Sequence, residues 1–140
     1  ETVALALEHL GRFAARSAFF AVKSTEIRGF DIRGEDTSRE AIQAFWVPAA
    51  ARSALSRVVA DRQIYLGPLT RHPADGILAA ALGGRPDRVL IVPVLVRERV
   101  AGLLYADGIA VDVPPFSRLT RLSEAVGDNL THLVLKKGRR

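Results

Sequence analysis

Residues Arg88 to Gly108 read RVLIVPVLVRERVAGLLYADG and restrict the fold more than any other part of the chain. Val89 to Val96 is eight apolar residues without a break, and Val100 to Ala106 is seven, counting Gly102. Arg97-Glu98-Arg99 separates them. A strand buried on one face alternates apolar and polar side chains, whereas an unbroken run marks a strand covered on both faces. The charged triplet closes the pair as an antiparallel hairpin. Pro93 removes a ladder donor, which a strand tolerates at a bulge or where its neighbour stops. Layers on both sides of this hairpin must come from the rest of the chain.

The flanking sequence offers them. Thr2 can cap a helix running to about Arg16, with Val3, Leu7, Leu10 and Ala14 on one face. Ser17 to Val22 and Ile27 to Ile32 read as strands around a Lys23–Glu26 turn. Ile27 and Gly29 point one way in the second strand, Arg28 and Phe30 the other. A short turn of helix precedes Ala44. Phe45-Trp46-Val47 is a short strand stopped by Pro48, and a helix follows from about Ala50 to Asp61. Gln63 to Gly67 is a further strand, and Pro73 suits the first turn of a small helix ended by Gly83-Gly84. Ser117 caps the last helix. Six strands with helices at both ends make an α+β domain around one antiparallel sheet.

At 140 residues the chain fits one domain with a proper core. Residues 1–135 are expected to form it and 136–140 a basic tail or linker. The net charge of +5 suggests nucleic acid until it is located. Four positives fall in the last five residues, leaving 16 basic against 15 acidic side chains elsewhere. A nucleic-acid domain spreads its positives over a folded face, so the tail reads as a solvated helix end. No apolar run approaches the roughly 18 residues that span a bilayer, and no signal peptide is visible. Nucleic-acid and membrane partners are not expected. The chain begins at Glu1 without Met and reads as a piece of a longer protein. Cysteine is absent, which removes disulfides, thiolate metal sites and thiol catalysis and is compatible with a cytoplasmic setting. The 17 Arg against 3 Lys suggest a GC-rich bacterial genome.

The order of elements and their punctuation resemble the GAF domain. The resemblance spans nearly the whole chain: a first hairpin in SAFFAVKSTEIRGFDIRG, a strand–helix–strand unit in FWVPAAARSALSRVVADRQIYLGPL, the central hairpin with Pro93, and Phe116-Ser117 opening a long helix. It implies a six-stranded antiparallel sheet with terminal helices on one face and middle helices and loops on the other. It also implies a sensory or regulatory module of bacterial signalling proteins, with a small molecule held between sheet and middle segment. On this chain the candidate pocket residues are Arg28, Phe30, Trp46, Ser53, Tyr65, His72 and Tyr105. Trp and Tyr give a pocket an apolar wall with one donor, although filling a core is their commoner use.

Several family activities lack their residues. The cyclic-nucleotide signature needs Asn-Lys and Asp-Glu pairs, and the single Asn here is Asn129. Bilin attachment and methionine sulfoxide reduction use cysteines. His9 and His72 have no i, i+4 ligand partner and His132 has Asp128 alone, so no metal site is expected. Gly83-Gly84-Arg85-Pro86 lacks the ending of a phosphate loop, and Asp107-Gly108 reads as a turn. No catalytic residue and no cofactor are expected; the chain reads as a non-enzyme.

Leu119, Leu122, Val126, Leu130 and Leu133 form a stripe that can face a partner helix or the domain's own sheet. With Leu7 and Leu10, the residues Leu122, Val126, Leu130 and Leu133 are the candidate dimer or helix interface. The expected partners are a small-molecule ligand, a second copy of the chain and neighbouring signalling domains. The alternative is a ligand-free interaction module whose interior its own side chains fill. Cavity volume separates the two.

Overall fold

A computed structural model describes residues 2–109 and 112–137, with side chains for 3–109 and 112–131. The elements in order are α1 (Thr2–Leu10), β1 (Ala14–Val22), β2 (Glu26–Gly34), α2 (Arg39–Ala44), β3 (Trp46–Pro48) and α3 (Ala54–Asp61). They continue with β4 (Tyr65–Gly67), α4 (Pro73–Leu82), β5 (Val89–Val96), β6 (Arg99–Ile109) and α5 (Phe116–Lys137). The six strands make one antiparallel sheet in the order β3-β2-β1-β6-β5-β4.

The two apolar runs are β5 and β6, covered on both faces as their composition requires. Val89, Ile91, Leu103 and Tyr105 face the middle helices. Leu90, Val92, Val94, Leu104 and Ala106 face the terminal ones. The hairpin loop is tighter than the charged triplet suggests. Val96 pairs with Arg99, so only Arg97 and Glu98 turn the chain. Their φ values of 51° and 67° are the doubly left-handed geometry of a two-residue hairpin. Pro93 lies two residues past the last β4 pair, Tyr65↔Ile91, where β5 has one strand neighbour. A missing donor is tolerated there.

The first helix is shorter than expected. It stops at Leu10, and Ala14 to Arg16 belong to β1. Gly11 donates to the Leu7 carbonyl, and the Ser17 hydroxyl donates to the same oxygen, so the chain turns into the sheet there. α3 likewise starts at Ala54 instead of Ala50, because Ser53 caps it. The Ser53 hydroxyl accepts from the Ser56 amide at 2.9 Å, and Ser56 reciprocates.

Between sheet and α2–α4 lies one core, which includes Phe20, Ile27, Ile42, Leu55, Leu78 and Tyr105. Between sheet and terminal helices lies a second, which includes Leu7, Leu10, Phe19 and Val126. α5 approaches β5 closely enough that a Cβ on Gly127 would stand 2.4 Å from the Leu95 carbonyl oxygen. Only glycine fits there. α5 runs to Lys137, and residues 138–140 of the basic tail lie outside the described residues.

Candidate functional site

The layer between the sheet and α2–α4 is where the resemblance implies a pocket. Its walls meet. Phe20, Ile27, Ile42, Leu78, Leu103 and Tyr105 have zero exposure, which a water-filled cavity beside them would not allow. Phe20 stacks edge-on against Phe45 at 5.5 Å and against Tyr105 at 5.9 Å.

The candidate pocket residues do not converge on this layer. Phe30 is the extra residue of a bulge, since Phe19 pairs with Asp31 and Phe20 with Gly29. It is 54% exposed and meets Phe19 edge-on at 5.9 Å, on the terminal-helix side of the sheet. Arg28 shares that side and pairs with Glu26 at 2.6 Å. Trp46, directly opposite Arg28 on β3, is 52% exposed. Ser53 is buried as the α3 cap. The Tyr65 hydroxyl donates to the Pro68 carbonyl, and its ring carries the Arg57 guanidinium at 5.4 Å. His72 is exposed at the start of α4 and makes no side-chain cap bond. Only Tyr105 points into the interior.

Tyr105 belongs to a cluster that sequence reasoning missed. Asp107 is 1% exposed within β6, not in a turn. Its carboxylate accepts from Arg16 Nε at 2.7 Å and Nη2 at 2.8 Å, and from the Tyr105 hydroxyl. Arg16 Nη1 donates to the Leu82 carbonyl, so β1, β6 and the end of α4 are tied together. Arg16 and Asp107 are cross-strand partners, 91 residues apart in sequence. Burial disfavours the Arg16 charge, but the hydrogen bond and charge of Asp107 outweigh it and raise its pKa. Burial, followed by the Asp107 charge and hydrogen bond, pushes the Tyr105 pKa far above the ordinary phenol range. The bidentate pair and the neutral phenol are engaged with one another, so the cluster reads first as a tie between layers.

Asp75 is the second buried carboxylate, at zero exposure. It accepts from the Ala54 amide at 3.1 Å, and from the Thr70 amide at 2.7 Å and hydroxyl at 2.6 Å. It holds the start of α3 to the loop before α4. A signal existed in the Asp two residues into a Pro-started helix, but nothing in the sequence points to its partners.

The terminal-helix residues also serve the domain's own core. Leu7, Leu10 and Val126 are buried, and Leu122 and Leu130 are half-buried against them. The Leu133 side chain lies outside the described ones. Among the described residues, no group of three or more His, Cys, Asp or Glu can hold a metal ion, and no helix is long and apolar enough to cross a membrane. The concave places lie at the periphery. A groove of about 950 Å³ runs past Gly34, Arg88 and Asp107. Another, of about 530 Å³, lies between Phe13 and Leu122.

No family model matches the sequence, and no curated protein does. Solved structures do match. Residues 122 to 287 of a methyl-accepting chemotaxis protein share 16% identity over 95% of this chain and 87% of that one, with a TM-score of 0.75. The GAF-B domain of DevS from Mycobacterium smegmatis shares 19% over 99% and 93%, at 0.70. Type II free methionine-R-sulfoxide reductase from Thermoplasma acidophilum shares 12% over 94% and 95%, at 0.60. At such identities the likeness bears on architecture alone, and on architecture it agrees with the strand order and layers described above: the chain has the GAF fold.

Proposed function

We propose that this chain is a non-enzymatic regulatory module of a larger bacterial signalling protein, working in the cytoplasm through contacts with partner domains. Its interior is occupied by its own side chains. The observation that carries this reading is the closed layer between sheet and middle helices, where Phe20, Ile42, Leu78 and Tyr105 have zero exposure. A small-molecule sensor needs an enclosed space of a few hundred Å³ in that layer. The packing favours the ligand-free alternative. Two solved neighbours are reductases, and the cysteines which that chemistry uses in GAF-like enzymes are absent from this sequence.

Output through the terminal helices is part of the proposal. Leu5 on α1 and Phe116 at the start of α5 remain about half exposed, which leaves apolar surface for a second copy or a neighbouring domain. Native mass spectrometry of the purified chain tests both points. The expected result is a bare protein mass, with the dimer peak rising with concentration. An added mass that disappears on denaturation would overturn the self-filled interior, and a monomer at every concentration would overturn the dimer.

A further inference from the structure

The end of the sheet remote from Asp107 carries a bowl that none of the roles above uses. It has a volume of about 700 Å³ and lies between the β1–β2 turn, the β5–β6 turn and the C-terminal end of α3. Val22, Val59 and Val100 give it an apolar floor. Lys23, Arg62, Arg97 and Arg99 stand around it, and no acidic side chain lines it. The nearby acids have other attachments or face away. Asp61 lies 3.9 Å from Arg57, Glu26 pairs with Arg28, and Glu98 occupies the hairpin tip outside the lining. Among the described residues, the four cations have no ion-pair partner of their own.

Two of these cations sit on backbone that disfavours them. Arg62 ends α3 at φ 60° and Arg97 opens the hairpin turn at φ 51°. Glycine or asparagine is the unstrained choice at both kinds of position. The chain instead keeps arginine at each, and both side chains line the same bowl.

The chemistry of the occupant follows from the lining. A lone exposed ion pair contributes up to about fivefold in affinity, so a simple inorganic anion gains little here. The valines need an apolar group, and the rim needs several carboxylates spaced around it. The bowl opens to solvent and its cations are exposed, which suits a segment laid across it more than a small molecule enclosed by it. We infer that this bowl docks an acidic segment of a partner protein, with one apolar side chain on the valines and carboxylates facing the four cations. The inference rests on the proposed function only for its premise that the domain works through a partner surface.

Fluorescence anisotropy of the whole chain with a labelled nine-residue peptide repeating Asp-Glu-Leu tests it. Saturable binding is expected, tighter at low salt. The pair Arg97→Glu with Arg99→Glu should weaken it on the order of tenfold or more. Arg121→Glu, far from the bowl, should leave it unchanged. The pair Arg62→Gly with Arg97→Gly removes two charges while relieving the backbone, so it folds at least as well and should still lose affinity. No saturable binding, equal weakening by Arg121→Glu, full affinity in the glycine pair, or equal affinity for a peptide with Ser in place of Leu would each overturn the inference. A co-purified interior ligand, by contrast, would defeat the proposed function and leave these titrations untouched.

Discussion

Asp107→Asn is the most exacting test of how the sheet is tied to the middle layer. Asparagine keeps the shape but supplies one acceptor oxygen where the carboxylate supplies two. Its NH2 then faces a donor in either orientation, Arg16 Nε in one and Arg16 Nη2 with the Tyr105 hydroxyl in the other. Breaking one partner out of a buried charge pair costs about 3–5 kcal/mol. The Arg16 side chain is 18% exposed and keeps the Leu82 carbonyl, which places the expected loss near the low end, about 3 kcal/mol. With a urea slope of about 2 kcal/mol/M, the unfolding midpoint should fall by about 1.5 M. Circular dichroism reads the transition. A double-mutant cycle with Arg16→Met isolates the pair, and in that background Asp107→Asn should cost less than half as much. A midpoint shift under about 0.5 M, or an equal cost with and without Arg16, would refute the view that this pair holds the layers together.

Four further outcomes are expected. Tyr105 has a folded pKa raised above its unfolded value, so its contribution to stability is complete below about pH 10 and lost as pH rises beyond it. The slope should be about 1.4 kcal/mol per pH unit. Urea titrations from pH 9 to 11 should show it in the wild type and not in Tyr105→Phe. Gly127→Ala should lower the calorimetric Tm, because its Cβ meets the Leu95 carbonyl and the helix must shift, at about 1–3 kcal/mol; an unchanged Tm would contradict the close approach. Asp75→Ala leaves the buried Ala54 amide without its acceptor and should cost about 3 kcal/mol. Hydrogen exchange at Ala54 and Thr70 should speed up with it. Trp46, the single tryptophan and half exposed, should already emit like a solvated indole in the folded protein; a blue-shifted emission would place it in an interface.

The sheet was legible because its central strands carry unbroken apolar runs, and a run of that kind has one structural reading. The middle core was legible in part, through the helical spacing of Leu55 and Val58. The site was not. Arg16 reads as the end of the first helix as readily as part of a strand, and only its register against Asp107 decides between them. That register is set by pairing across 91 residues, which no local pattern records. Phe30 was misplaced for a related reason. Alternation puts it with Arg28 and opposite Gly29, and there it lies; what alternation does not say is which face the terminal helices cover, and that is the face it shares with Phe19. Trp46 follows Arg28 to that same side. Aromatic content points towards a pocket, whereas the face that Arg28 takes in β2 decides where two of those aromatics go.

Among the described residues, the outer edge of β5 has no strand beside it beyond Ile91, and the run Val92–Val96 is among the most apolar in the chain. An open edge of that composition is a template for stacking further chains. Pro93 interrupts it near the start of the unpaired stretch, and α5 lies against the same strand at Gly127. Helix and proline together act as gatekeepers against self-association. Truncation of α5, or its detachment under load, would leave Pro93 as the remaining guard. Insoluble protein from shortened versions of this domain would then report an uncovered strand edge, even where the fold itself survives.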